Sequence, residues 1–97
     1  MTTKAAGKSE MTIMGIKVSI DNGAIEAMSR DFWFLDDFTS EEPTAQFRAF
    51  TRLLKAALGT SYRDVLTELQ GDDDALSVEK VSEFANEVFK SNGNLKN

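Results

Sequence analysis

Between Pro43 and Gly59 the chain carries its longest apolar stripe, in which Phe47, Phe50, Leu53, Leu54, Ala57 and Leu58 recur at the spacing of one helical face. Pro43 cannot extend a helix that precedes it but suits the first turn of the helix that follows, and Gly59 is a C-terminal stop. A helix this strongly one-sided gains most of its stability from what covers its apolar face. The rest of the sequence therefore has to supply covering elements. At 97 residues it can do so as one domain and not two.

The neighbouring segments have the patterns required. Within residues 13–20, IMGIKVSI, the side chains of Ile16, Val18 and Ile20 alternate with Lys17 and Ser19, the period of a half-buried strand, and Asp21-Asn22-Gly23 is a turn that ends it. From Ala24 the period changes to that of a helix. Ile25, Met28, Phe32 and Leu35 follow one another at steps of three, four and three, which predicts a first helix running to about Asp37. The second helix is the one after Pro43, with Thr39 or Ser40 as its cap and Glu41 and Glu42 near the positive end of its dipole. A third begins at Thr60 or Ser61, turns Tyr62, Val65, Leu66 and Leu69 inward and ends at Gly71. The fourth is capped by Ser77 and buries Val78, Val81, Phe84, Ala85, Val88 and Phe89. Residues 1–12 and 91–97 lack apolar periodicity and are expected to be flexible tails. The predicted fold is thus mainly α, a small single domain over residues 13–90 with about four helices and a short N-terminal strand or hairpin.

Composition narrows the function classes. The chain has no Cys and no His, so disulfides, the usual zinc ligands, thiol nucleophiles and an imidazole base are all missing. There is no glycine-rich phosphate loop, and no pair of acids stands out by position as an acid and a base. No enzyme, cofactor or metal site is expected. A net charge of −5 disfavours nucleic acid as a partner, because phosphate binding draws on a cationic surface. Without a secretory apolar run or a stretch of membrane-spanning length, the protein is expected to be soluble and intracellular.

Three motifs invite a functional interpretation. Asp72-Asp73-Asp74 suggests a calcium loop, but a twelve-residue frame starting at Asp72 puts Leu76 where a ligand is needed and Ser77 where the sharp turn needs Gly. The acidic run is better explained as a solvated linker. Arg48, Arg52 and Lys55, opposite much of the second helix's apolar stripe, form either a docking stripe for an acidic partner or an ordinary solvated face.

The third motif, residues 31–38, DFWFLDDF, is the most informative. On a single continuous helix Phe32 and Leu35 extend the core stripe of Ile25 and Met28, while Trp33 points about 100° away and Phe34 and Phe38 share a neighbouring face. One helix cannot bury all of these against one flat neighbour. Either other elements wrap it on two sides, or Trp33, Phe34 and Phe38 form a partner-binding face.

The order of parts resembles the tail assembly chaperones of long-tailed, siphovirus-type bacteriophages and prophages. The parts that carry the resemblance are Asp31-Phe32-Trp33-Phe34-Leu35, then Leu53-Leu54-Lys55-Ala56-Ala57-Leu58-Gly59, Tyr62, the acidic break Asp72-Asp73-Asp74, and Ser77-Val78-Glu79 ahead of Val81 and Phe84. The likeness spans about residues 13–90. It implies a non-catalytic protein of the host cytoplasm that binds the long tape measure protein, keeps it soluble, helps recruit tail tube subunits and is absent from the mature virion. It also implies that a longer form made by ribosomal frameshifting can exist beside this one. The residues assigned to partner binding are Trp33, Phe34, Phe38, Arg48 and Arg52. The alternative is a small helical adaptor or regulator that forms a homodimer through the Phe34 and Phe38 face.

Overall fold

In the computed structural model, which describes residues 7–96 (side chains as far as Ser91), the chain forms a mainly α domain behind a short N-terminal hairpin. Strands β1 (Lys8–Ile13) and β2 (Ile16–Asp21) are antiparallel, with Ile13 paired to Ile16, Met11 to Val18 and Ser9 to Ile20. The alternation expected of β2 is present: Ile16, Val18 and Ile20 are buried, and Met11 and Ile13 of β1 face the same way. Only Met14 and Gly15 separate the strands, both at positive φ (51° and 84°), as a tight two-residue hairpin turn demands. The expected N-terminal tail is therefore too long, since residues 8–12 are strand; residues 1–6 lie outside the described residues.

The hairpin runs directly into α1 (Asn22–Met28), whose first turn is capped by Asp21 through a 3.1 Å bond from the Ala24 N–H. Buried Asn22 pins the hairpin to this helix by donating to the Gly7 carbonyl at 2.9 Å and to Ser9 Oγ at 2.7 Å. The first predicted helix then departs from expectation. It is two helices, α1 and α2 (Phe32–Phe38), separated by Ser29, Arg30 and Asp31. Asp31 is extended (φ −92°, ψ 118°), and its side chain accepts the N–H of Phe34 at 3.2 Å. It is an N-cap in the middle of what the apolar spacing presents as one helix.

The remaining helices match the punctuation of the sequence. Helix α3 (Pro43–Leu58) has Pro43 in its first turn, and α5 (Val78–Lys96) is capped by Ser77, whose Oγ accepts the Lys80 N–H at 3.1 Å. A 3₁₀ turn over Gly59–Ser61 leads from α3 into α4 (Tyr62–Gln70). Gly59 and Gly71 end α3 and α4 at φ 57° and 59°, where a Cβ would be strained. Two predicted caps do other work. Neither Thr39 nor Ser40 occupies the N-cap of α3, a position held by Glu42, and Ser61 precedes α4 but donates its hydroxyl back to the Leu58 carbonyl. The expected C-terminal tail is helical in its backbone as far as Lys96, and residue 97 lies outside the described residues.

Helix α3 is the centre of the domain, as its stripe requires. It contacts β2, α1, α2, α4 and α5, and buries Ala49, Phe50, Leu53, Leu54, Ala57 and Leu58. Each of its larger buried side chains contributes about 1.5–3 kcal/mol relative to exposure. Among the described residues no helix is long and apolar enough to cross a membrane.

The broken first helix has a consequence measurable by urea denaturation. Phe34→Ala is expected to cost about 3–5 kcal/mol, because it empties a fully buried ring site, whereas Phe32→Ala should change stability by less than about 0.5 kcal/mol. A larger loss at Phe32 than at Phe34 would mean that α1 and α2 form one continuous helix in solution.

Candidate functional site

Because α2 starts afresh at its cap, the aromatic stretch is sorted differently from the expectation of a single helix. Phe34 is 0% exposed and stacks on Phe38 at 5.3 Å between ring centroids. Phe38 in turn meets Phe50 of α3 edge-on at 5.5 Å and Phe89 of α5 at 4.8 Å. Phe34 also lies 6.0 Å from Phe89. These four rings join α2, α3 and α5, and each such pair adds about 0.5–1.5 kcal/mol beyond its buried area. Phe34, fully buried, and Phe38, half-buried against Phe34, Phe50 and Phe89, are thus anchors of the fold. They are withdrawn from the partner-binding face assigned to them, and the dimer face of the alternative is withdrawn with them.

The displayed residues are Phe32 and Trp33. Phe32 lies about 200° around the helix from Phe34 and Trp33 about 100°, so once Phe34 points inward both turn to solvent. They are 65% and 68% exposed. Phe32, expected in the core, is therefore a surface residue, while Leu35 is part-buried against the core as expected. The two exposed rings touch edge to face, with centroids 5.0 Å apart and planes at 77°. Met14 at the hairpin turn and Val78 at the start of α5 are the other large apolar side chains exposed among the described residues.

Arg48 and Arg52, assigned to an acidic partner, already have one inside the chain. Arg48 grips both carboxylate oxygens of Asp37 at 3.2 Å, and Arg52 reaches Asp31 Oδ2 at 3.2 Å. Both bridges tie α2 to α3. The hydrogen bond to Asp37, then its charge, raises the Arg48 pKa above the usual arginine value. A raised folded-state value gives stability that is present below the unfolded-state value and lost only in strong alkali, so this pair brings no pH dependence from the arginine side near neutrality. The third cation of the stripe, Lys55, sits over the Tyr62 ring with Nζ 5.6 Å from the centroid. In the acidic run, Asp73 pairs with Lys80 at 3.2 Å.

What α2 presents is an adjacent pair of rings on a helix fixed from behind by aromatic packing and from the side by two ion pairs. Such a surface suits the burial of another apolar surface. The feature that could have revealed Phe32 in the sequence is Asp31, three residues ahead of the buried Phe34 and able to restart the helix. No family model, curated protein or solved structure matches the chain.

Trp33 is the only Trp of the chain, so fluorescence reports on this site alone. The free protein should emit close to the wavelength of tryptophan in water and be quenched by acrylamide almost as readily as the free amino acid. A blue-shifted, protected signal in the isolated protein would show the pair already covered.

Proposed function

We propose that this protein is a non-catalytic tail assembly chaperone that binds the tape measure protein of a long-tailed phage or prophage through the Phe32–Trp33 surface of α2. The observation that carries this proposal is that pair of touching, two-thirds-exposed rings on a rigidly anchored helix. A soluble monomer gains nothing from displaying them, and a client with a long apolar stripe gains a place to hide it. The order of motifs across residues 13–90 supports the same role. In this proposal the protein keeps its client soluble in the host cytoplasm, helps recruit tail tube subunits, and leaves before the virion is complete. The net charge of −5 helps the loaded complex repel its own kind. The partner-binding set narrows from Trp33, Phe34, Phe38, Arg48 and Arg52 to Trp33 together with Phe32, since the others are engaged within the fold.

The test is co-expression with the tape measure protein encoded nearby. Wild-type protein should keep that client in the soluble fraction, and Phe32→Ser/Trp33→Ser should lose most of this effect while melting at the wild-type temperature. A client equally soluble with wild type, with the double variant or with neither would overturn the proposal. So would a gene neighbourhood holding neither a tail tube gene nor a very long tape measure gene.

A further inference from the structure

A second surface is independent of α2. Between α3, α4 and the loop leading to α5 lies an open groove of about 560 Å³, within the size range of binding clefts, with Tyr62, Leu66 and Leu76 as half-buried apolar lining. Its charged lining residues are Lys55 and Arg63, and no acid lines it. Among the described residues no carboxylate pairs with either of them. In this respect they differ from Arg48, Arg52 and Lys80, whose charges are matched inside the chain. The loop that closes the groove is held in place: Gln70 donates to the Asp73 carbonyl at 2.8 Å, and Asp73 is bound to Lys80 at 3.2 Å.

The two charges that line this groove are opposite in sign to the net charge of the protein. On a chain of net charge −5, a groove of mixed lining, in which Thr67 and Gln70 stand beside Tyr62, Leu66 and Leu76 and two cations have no carboxylate partner, discriminates between ligands by charge as well as by shape. We propose that it is a second docking site whose occupant is an acidic amphipathic segment of a partner protein, seating Leu, Met or Phe side chains against Tyr62, Leu66 and Leu76 and placing Asp or Glu beside Lys55 and Arg63. The guanidinium of Arg63 suits a carboxylate through paired N–H donors, and Lys55, already drawn over the Tyr62 ring, supplies a point charge at the other side. The three apolar side chains in the lining, Tyr62, Leu66 and Leu76, make a peptide the better match than a nucleic acid backbone, which would leave them uncovered. The site goes beyond the client surface of α2 and does not depend on it.

The test uses the full-length protein and two labelled synthetic peptides with the same Leu spacing (i, i+3, i+4, i+7), one filled out with Glu and the other with Lys, titrated by fluorescence anisotropy. The Glu peptide should bind, and more weakly as salt is raised. Lys55→Glu/Arg63→Glu should weaken that binding by about tenfold or more and shift preference toward the Lys peptide. Lys55→Gln/Arg63→Gln removes the same charges without reversing them, and it should also weaken binding should the reversed pair disturb folding. Trp33→Ala should bind the Glu peptide as wild type does, which separates failure of this site from failure of the client surface. The proposal is overturned by undetectable Glu-peptide binding, by equal binding of the two peptides, by charge variants that bind like wild type, or by stronger binding of duplex DNA than of the Glu peptide.

Discussion

The carboxylate of Asp31 is the point on which the arrangement of this domain turns. It accepts the N–H of Phe34, which starts α2 at a defined residue, and the same oxygen accepts from Arg52 on α3. Where a helix starts fixes which of its side chains face inward, because each residue advances the direction by about 100°. Starting α2 at Phe32 sends Phe34 and Phe38 toward Phe50 and Phe89, and by the same geometry turns Phe32 and Trp33 outward. One cap thus selects both the rings that hold the fold together and the rings it displays. The capping bond alone is worth about 1 kcal/mol, but the choice it makes governs several times that in aromatic burial.

How much of this can be read in the sequence follows from where the chain is punctuated. The limits of α3 and α4 and the start of α5 are marked by Pro43, Gly59, Gly71 and Ser77, residues with strong backbone or capping preferences, and the helices appear there, although α5 runs on to Lys96 past the end its apolar pattern gives. Strand β2 shows itself by clean alternation. Strand β1 shows itself less plainly, because its inward set begins with Ser9 and its turn is Met14-Gly15 in place of the usual Asn-Gly. The break before α2 is hidden for a different reason. The steps from Ile25 to Met28, Phe32 and Leu35 run straight across Ser29-Arg30-Asp31, so apolar spacing imitates a continuous helix where the capping chemistry of Asp31 interrupts it. Pattern and capping compete here, and the bulk of Phe34, filling the site beside Phe38 and Phe89, sides with the cap.

The cations of α3 show a similar division of labour along one helix face. Arg48 and Arg52 look like a docking stripe in sequence because their acidic partners, Asp37 and Asp31, are distant along the chain and come near only when α2 folds back on α3. Lys55, one turn further on, lies beyond the reach of α2 and faces Tyr62 of α4. A single run of basic residues is thereby split into two that staple helices together and one that helps line a groove. The split is set by where α2 begins, because Asp37 near its end pairs with Arg48 and Asp31 at its start pairs with Arg52.

This separation of anchoring from display bears on how such a protein could change its partner without losing its fold. The side chains of α2 divide between a face that packs on the core through Phe34 and Phe38 and a face on which Phe32 and Trp33 meet only each other and solvent, so the displayed rings are free to vary in size and shape at little cost in stability. The groove offers the same freedom, since Lys55 and Arg63 are exposed while Val65 and Leu69 on the opposite side of α4 carry its packing. Both surfaces are mounted against α3, α2 through its ion pairs and the Phe38–Phe50 contact and the groove through Lys55 over Tyr62. A small domain has few residues to spare for binding after its core is filled. Placing each binding residue next to, and out of phase with, a core residue of the same helix lets this chain do both within 97 residues.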